Sequence, residues 1–459
     1  MFFERFSGRR EKRKAQNQGP SITIRQRDSG SPGIELRSAA FGTQKWAFRK
    51  KNKIPRQVRR YNKDLDRIAE EYWQAARQFH ADKSSEAKRE RTQIQFLRKL
   101  EELGIGFVNR ALLPRKGGLH AYDDLCRYFS EAYARLTEGG REPLRIEILI
   151  DFEDFAPFEF LPMIGVEQRI DAEASSLKEA AGRFLNYSAV VTRQRLAHRG
   201  LRDFSEARVS AAATLPVNFF WRRQFPGAQQ EGEYLGRRKD LEVRGPLPET
   251  VSDWSSPEAV ERSIARFLLN SSAPQFFETL KNRLFWQDWS GPGVIYHFAC
   301  HTWRGEGLES LGWQAHGDTL SMTDVSGKEI RLGVQTLVNQ VDRTALPAKP
   351  PNVLMFLNTC SAIRGEDGDE RFSELLLDNY CARCLVGPMT VVHDLEAAEF
   401  SIRFYKNLLR GEHPVGEAVR RTRWRLLTDL ASLSGLFYIT YGDPMLQIVT
   451  AKQGFKEVS

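Results

Sequence analysis

Two short apolar runs, each ending abruptly on a reactive side chain, constrain this chain more than any other feature. The first is Gly-Val-Ile-Tyr-His-Phe-Ala-Cys-His, residues 293–301, and the second is Asn-Val-Leu-Met-Phe-Leu-Asn-Thr-Cys, residues 352–360. Runs of this length, rich in Val, Ile and Phe, read as buried strands of a parallel sheet. In open α/β sheets, sites gather just beyond the carboxyl ends of the strands. His301 and Cys360 are therefore expected at one edge of the sheet. Neighbouring strands are about 5 Å apart, close enough for both side chains to face one substrate. The pair suits nucleophilic chemistry: a thiolate attacks a carbonyl while a nearby imidazole manages protons for the nucleophile and the leaving amine.

Around these runs, strands alternate with helices. Leu144 to Phe152, Ser188 to Thr192, Leu215 to Phe220 and Leu385 to Val392 read as strands. Helices are expected from Ser175-Ser176-Leu177 to Phe184, over Pro257 to Leu269, over Val334 to Val341 and from Asp394 onward, with a hairpin over Thr319 to Leu332. That alternation predicts an α/β fold with a mostly parallel sheet. Upstream, residues 56–140 read as helical. Leu65, Ile68, Ala69, Tyr72, Ala76 and Phe79 follow the three-four spacing of one helix face, and Tyr122, Leu125, Phe129, Tyr133 and Leu136 mark another.

The net charge of +9 is unevenly spread. Residues 1–60 hold 17 Lys and Arg against 4 Asp and Glu; the remainder holds 51 against 55. Residues 1–55 therefore read as a basic, flexible arm, with Ser21 to Arg25 able to form one short strand. Such an arm can touch nucleic acid, but Phe41, Trp46 and Phe48 are too few for a stacking platform, and a solvated tail is the favoured reading. No apolar run approaches the roughly 20 residues that span a bilayer, so no membrane role is expected. Five Cys in 459 residues do not make a disulfide framework, and together with the lack of an export signal this points to a reducing cytoplasm. Cys381 and Cys384 form a Cys-x-x-Cys with no second pair to complete a zinc site, so packing is the better reading and no metal or organic cofactor is expected.

His297-Phe298-Ala299-Cys300-His301 and Leu357-Asn358-Thr359-Cys360-Ser361-Ala362 resemble two boxes of the CHAT family of caspase-like cysteine proteases. The His stands 59 residues before the Cys; caspases space theirs by about 50. Asp394 to Tyr405, Gly416-Glu417-Ala418-Val419-Arg420 and Tyr441-Gly442-Asp443-Pro444 are similar to the family's later motifs, and Ala156-Pro157-Phe158-Glu159-Phe160-Leu161 to an earlier one. The resemblance covers about residues 143–450. It implies a caspase-like sandwich, a helix-flanked sheet in a protease domain over 141–450, with 451–459 as a tail. It implies a cysteine endopeptidase with Cys360 as nucleophile and His301 as general acid/base, cleaving a protein substrate in regulated proteolysis such as a bacterial defence pathway. Backbone N–H groups of Thr302 and Cys360 would form the oxyanion hole; the family usually has Gly where Thr302 stands. Asn358 would be a substrate-binding residue; in metacaspase-type relatives an Asp there reads a basic residue beside the scissile bond, and neutral Asn lacks that charge. The loop after the nucleophile carries Glu366, Asp367, Asp369 and Glu370, acids able to attract basic substrate side chains or simply to solvate a surface loop.

His297 is expected to be structural, four residues back along the strand from His301, and Cys300 to be core. The stiffer Thr302, the charged loop and the exposed joint at Pro114 to Gly118 further predict activity held back until an activating protein partner or an upstream protease acts. Two alternatives stay open: a scaffold or signalling module with a degenerate site, and a nucleic-acid-binding protein working through the arm.

Overall fold

The computed structural model describes residues 21–27, 33–38, 41–49, 54–81, 86–114, 120–137, 143–150, 158–164, 170–171, 175–195, 208–210, 214–247, 294–303, 319–323, 329–333, 353–359, 382–410 and 413–449. The chain divides into two compact units, residues 1–65 with 87–197, and residues 66–86 with 198–459.

In the first unit, β1 (Ser21–Arg27), β2 (Gly33–Ser38), β3 (Gly42–Ala47), β4 (Leu144–Ile150) and β5 (Ala189–Arg195) run in the order β3-β2-β1-β4-β5. β1 pairs antiparallel with β2 and parallel with β4; β4 and β5 are parallel. The supposed arm thus contributes three strands, β1 to β3, to the sheet, and the domain boundary expected near 55 does not separate these strands from the fold. Counting charge hid the alternation. Ile22 and Ile24 face Ile146 and Ile148 in register, and with Ile34 and Leu36 they are buried. Burying one face of a strand needs only every second residue to be apolar, which leaves room for Arg37 and Lys45 in solvent. Residues 1–20 lie outside the described residues.

Helix α1 (Ile54–Ala81), the helix α2 (Glu86–Ala111) and the helix α3 (Ala121–Leu136) match the expected helical stretch. Their apolar stripes are buried, with Leu65, Tyr72, Leu97, Leu100, Leu125 and Phe129 almost wholly out of solvent. Gly104 in α2 lets the chain at Leu161 approach: an added Cβ would stand 2.8 Å from Leu161 Cδ2. Helix α4 (Leu177–Gly182) opens on a capping box, Ser176 accepting from the Glu179 N–H while the Glu179 carboxylate accepts from the Ser176 N–H. The short α5 (Leu185–Ser188) leads into β5.

The second unit carries the mostly parallel sheet. Its strands are β7 (Leu215–Trp221), β8 (Leu241–Leu247), β9 (Val294–Ala299), β13 (Val353–Leu357), β14 (Cys384–Pro388) and β15 (Tyr438–Gly442), in the order β15-β14-β13-β9-β7-β8. Every pair except β14–β15 is parallel. Helices α6 (Pro226–Gly236), α7 (Asp394–Leu408) and α8 (Val415–Leu430) belong to this unit. The unit is α/β, as the alternation predicted. The hairpin expected over 319–332 is present as β11 (Thr319–Thr323) and β12 (Glu329–Gly333), joined antiparallel by the short β10 (His301–Trp303). Strands β6 (Arg208–Ser210) and β16 (Gln447–Val449) form a separate parallel pair. The helices expected over 257–269 and 334–341 lie outside the described residues. Among the described residues, no helix is long and apolar enough to cross a membrane.

Candidate active site

The two apolar runs are neighbours. β9 and β13 pair in parallel, Val294 opposite Val353 and Phe298 opposite Leu357, and the ladder continues when the Asn358 N–H donates to the Phe298 carbonyl at 2.8 Å. On the other side of β9 lies β7, whose ladder likewise runs on: the Arg222 N–H donates to the Ala299 carbonyl at 2.8 Å. The chain passes from β7 to β8 on one side, then returns to β9 and β13 on the other. That reversal makes a switch point, and crevices at the carboxyl ends of strands form at such points.

Of the expected site residues, His301 and Thr302 are described as backbone. They open β10, with His301 opposite Ser321 and Thr302 opposite Leu320. β9 ends at Ala299, so the alternation that relates His297 to its neighbours does not carry through Cys300 to His301. The small sheet is tied to the loop after β7. Arg222 Nη1 donates to Ser321 Oγ at 3.2 Å, Ser321 Oγ donates to Glu329 Oε1 at 2.6 Å, and the Arg223 N–H donates to Thr323 Oγ1 at 3.3 Å. Cys360, Glu366, Asp367, Asp369 and Glu370 lie outside the described residues, which end at Thr359 on this segment.

Asn358 is only 6% exposed, and both ends of its amide are engaged. Its Nδ2 donates to Glu231 Oε1 at 2.7 Å, and the Tyr438 hydroxyl donates to its Oδ1. Both polar atoms of the side chain therefore have partners inside the protein. Glu231, on α6 and 2% exposed, also brings Oε2 to within 2.6 Å of His297 Nε2, a close polar contact without a hydrogen bond. The other ring nitrogen of His297, Nδ1, is 3.1 Å from the Tyr405 hydroxyl.

The surroundings of this chain of polar groups are aromatic. Phe219, His297 and Phe356 are register partners across β7, β9 and β13, with ring centroids 5.1 Å and 4.8 Å from the imidazole. Tyr405 stacks on His297, and Phe400 stacks on Tyr438 at 3.6 Å. Burial, then the Glu231 carboxylate, hold the Tyr405 hydroxyl well above its ordinary pKa, so it stays protonated. His297 is wholly buried and structural in its contacts, as its depth in the strand predicted.

Other residues of the family-like boxes are occupied in holding the fold. Glu159 is buried against Arg193, which donates to both of its carboxylate oxygens through Nε and Nη2. Asp443 accepts from Arg383 Nε at 2.7 Å and from the Met445 N–H at 2.8 Å, while Gly442 before it holds a left-handed φ of 87° that favours glycine. Glu417 is paired with Arg420 and Arg421. Asp394 Oδ2 accepts from the Gly227 N–H at 3.1 Å and Glu396 Oε2 from Ser432 Oγ at 2.8 Å, so these acids join elements as well as open a helix.

Cys300 and Cys384 are buried, as expected of packing thiols. Burial first, and Asp443 second, push the Cys384 thiol well above its ordinary value, with Arg383 opposing, so it is an inert side chain. Among the described residues, no group of three or more His, Cys, Asp or Glu could hold a metal. Sequence reasoning missed Glu231 and the partner tyrosines. Helix α6, Pro-Gly-Ala-Gln-Gln-Glu-Gly-Glu-Tyr-Leu-Gly, lacks the apolar periodicity that would have flagged it.

No family model and no curated protein matches the chain. Among solved structures it is similar to the Arg-specific cysteine proteinase gingipain R, at 8% identity over 71% of this chain and 68% of that one, with a TM-score of 0.39. It is similar to the complex of the pro- and mature domains of RgpB from Porphyromonas gingivalis, at 9% identity over 71% and 72%, with a TM-score of 0.36. It is also similar to the Saccharomyces cerevisiae separase–securin complex, at 11% identity and a TM-score of 0.38, spanning 92% of this chain but only 30% of that one. Likenesses this faint say nothing of activity.

Proposed function

We propose that the chain is a caspase-like cysteine endopeptidase of the CHAT type, with Cys360 as nucleophile and His301 as general acid/base. The observation that carries the reading is the register of β9 and β13: each of the two residues follows the Phe298–Leu357 pair by three positions. Two parallel neighbours with reactive side chains after their carboxyl ends are what thiolate attack assisted by an imidazole requires. In this reading Cys360 Sγ adds to the scissile carbonyl and passes its proton to His301. His301 then returns a proton to the leaving amine, and water completes hydrolysis of the acyl-enzyme. The backbone N–H groups of Thr302 and Cys360 are assigned to the oxyanion, and the acids Glu366, Asp367, Asp369 and Glu370 to a basic stretch of a protein substrate. Asn358 is assigned to positioning instead of substrate contact.

The test is cleavage of a broad peptide library by the purified chain. Cys360→Ala and His301→Ala are each expected to lower turnover at least about 1,000-fold, with the fold kept. Retention of wild-type cleavage by Cys360→Ala would sink the assignment. A library left uncut by the intact chain but cut after limited proteolysis would support an activation step; full turnover without any cut or added partner would exclude it.

A further inference from the structure

We infer that Glu231, Asn358 and Tyr438 are positioning residues that hold the carboxyl end of β13, two residues before the nucleophile assigned at Cys360. The inference deepens the peptidase reading, on which its effect on turnover rests.

Glu231 belongs to α6, His297 to β9, Asn358 to the end of β13, Tyr438 to β15 and Tyr405 to α7. Hydrogen bonds or close polar contacts link all five. Asn358 stands two residues before Cys360, and His297 four before His301. The amide of Asn358 is held from opposite ends, its N–H₂ by a carboxylate and its carbonyl by a phenol, which fixes one orientation of the side chain. Thr359, the next residue, is itself buried. The strand end is thereby fixed up to the residue before the nucleophile.

The scaffold that presents Glu231 is equally fixed. Gly227, one turn earlier on α6, lies so close to α7 that an added Cβ would meet the Asp394 carbonyl oxygen at 2.2 Å. Gly232, directly after Glu231, packs on the Phe219 ring, with Cβ room of only 3.0 Å. A carboxylate and an amide in an aromatic core are costly unless each is satisfied. Apolar residues would fill the same space without that cost, so the polar groups specify an arrangement that packing alone would leave open.

A donor–acceptor swap tests this. Asn358→Asp sets two carboxylates against each other. Adding Glu231→Gln restores one donor facing one acceptor, and Tyr438 still donates to residue 358. Two readouts are taken on the full chain: the rate of Cys360 alkylation by iodoacetamide, followed by peptide mapping, and kcat and KM per active site titrated with a thiol-reactive peptide. Asn358→Asp is expected to slow both alkylation and kcat about 100-fold with KM little changed, the scale of an ångström-size misplacement. The double variant is expected to recover to within about tenfold of wild type. A group that only held the fold together would lower the folded fraction and leave kcat per titrated site unchanged.

Should Asn358→Asp fail to fold, Tyr438→Phe decides, since it keeps the ring on Phe400 and removes only the hydroxyl. Wild-type alkylation and turnover in folded Tyr438→Phe, or a double variant no better than Asn358→Asp alone, would overturn the inference. If the wild-type chain cleaves nothing under any condition, the peptidase reading fails, while the alkylation rates still decide the positioning claim.

Discussion

Two buried glutamates show two uses of the same side chain. In the first unit, Glu159 meets Arg193 in a fork, both oxygens accepting from one guanidinium. In the second, Glu231 divides its oxygens between an amide on β13 and an imidazole on β9. The first arrangement is closed: a cation and an anion neutralise each other and lock a turn to a strand. The second is distributed, and both strands it touches lead toward the candidate dyad. Burial alone therefore does not tell the two carboxylates apart; the elements each one joins do.

Removing each acid should expose that contrast. Glu159→Ala leaves the Arg193 cation buried without its counterion, a change that costs about 3–5 kcal/mol. Chemical denaturation is expected to show that loss, with turnover per folded molecule unchanged. Glu231→Ala leaves a neutral amide short of one partner, at about 1–3 kcal/mol, yet turnover per folded molecule should collapse. Equal effects of both variants on kcat would erase the distinction.

A steric change probes the second cluster from a distance. Gly227→Ala must push α6 away from the Asp394 carbonyl, at about 1–3 kcal/mol for overpacking. Because Glu231 rides on the same helix, kcat should fall along with the melting temperature. A variant that loses stability but keeps full kcat would show that α6 can shift without disturbing the site.

How much of this was legible in the sequence follows from which interactions are local. The runs ending at His301 and Cys360 announced themselves because buried parallel strands are apolar throughout, and β9 and β13 are indeed neighbours. The capping box at Ser176 and the hairpin over 319–332 were equally readable, since each depends on residues close in the chain. Residues 21–49 were misjudged because their charge is on one face of short strands whose other face carries Ile22, Ile24, Ile34 and Leu36. Glu231 was invisible because its meaning is supplied by Asn358, 127 positions away. Asn358 was placed at the strand end where it stands, but its partners Glu231 and Tyr438 were not legible, since a sequence shows the order of side chains and not which face closes over them.

Acid should act on a third kind of carboxylate, one in the half-buried pair network of α8. Burial alone would raise the Glu417 carboxyl, but hydrogen bonds and charge from Arg420, then Arg421, bring it below its ordinary value. An acid with a depressed folded pKa stabilises the protein above its unfolded value, about 4.3. That contribution fades as pH falls through the folded value. Glu417→Gln should therefore flatten the dependence of stability on pH below about 4.3; a curve parallel to wild type would show the pairs contribute nothing. The smallest effect is expected at Cys384, whose raised thiol should resist iodoacetamide at neutral pH in the folded chain and react only after denaturation.

The most direct measurement of the central claim is covalent capture. A peptide carrying a thiol-reactive carbonyl is incubated with the folded chain, and the adduct is located by mass spectrometry. The account predicts one adduct, on Cys360, whose formation slows at least about 100-fold in His301→Ala and is lost when the protein is denatured first. Labelling spread over the buried thiols Cys126, on α3, Cys300 or Cys384, or capture at Cys360 that proceeds as fast without His301, would contradict it.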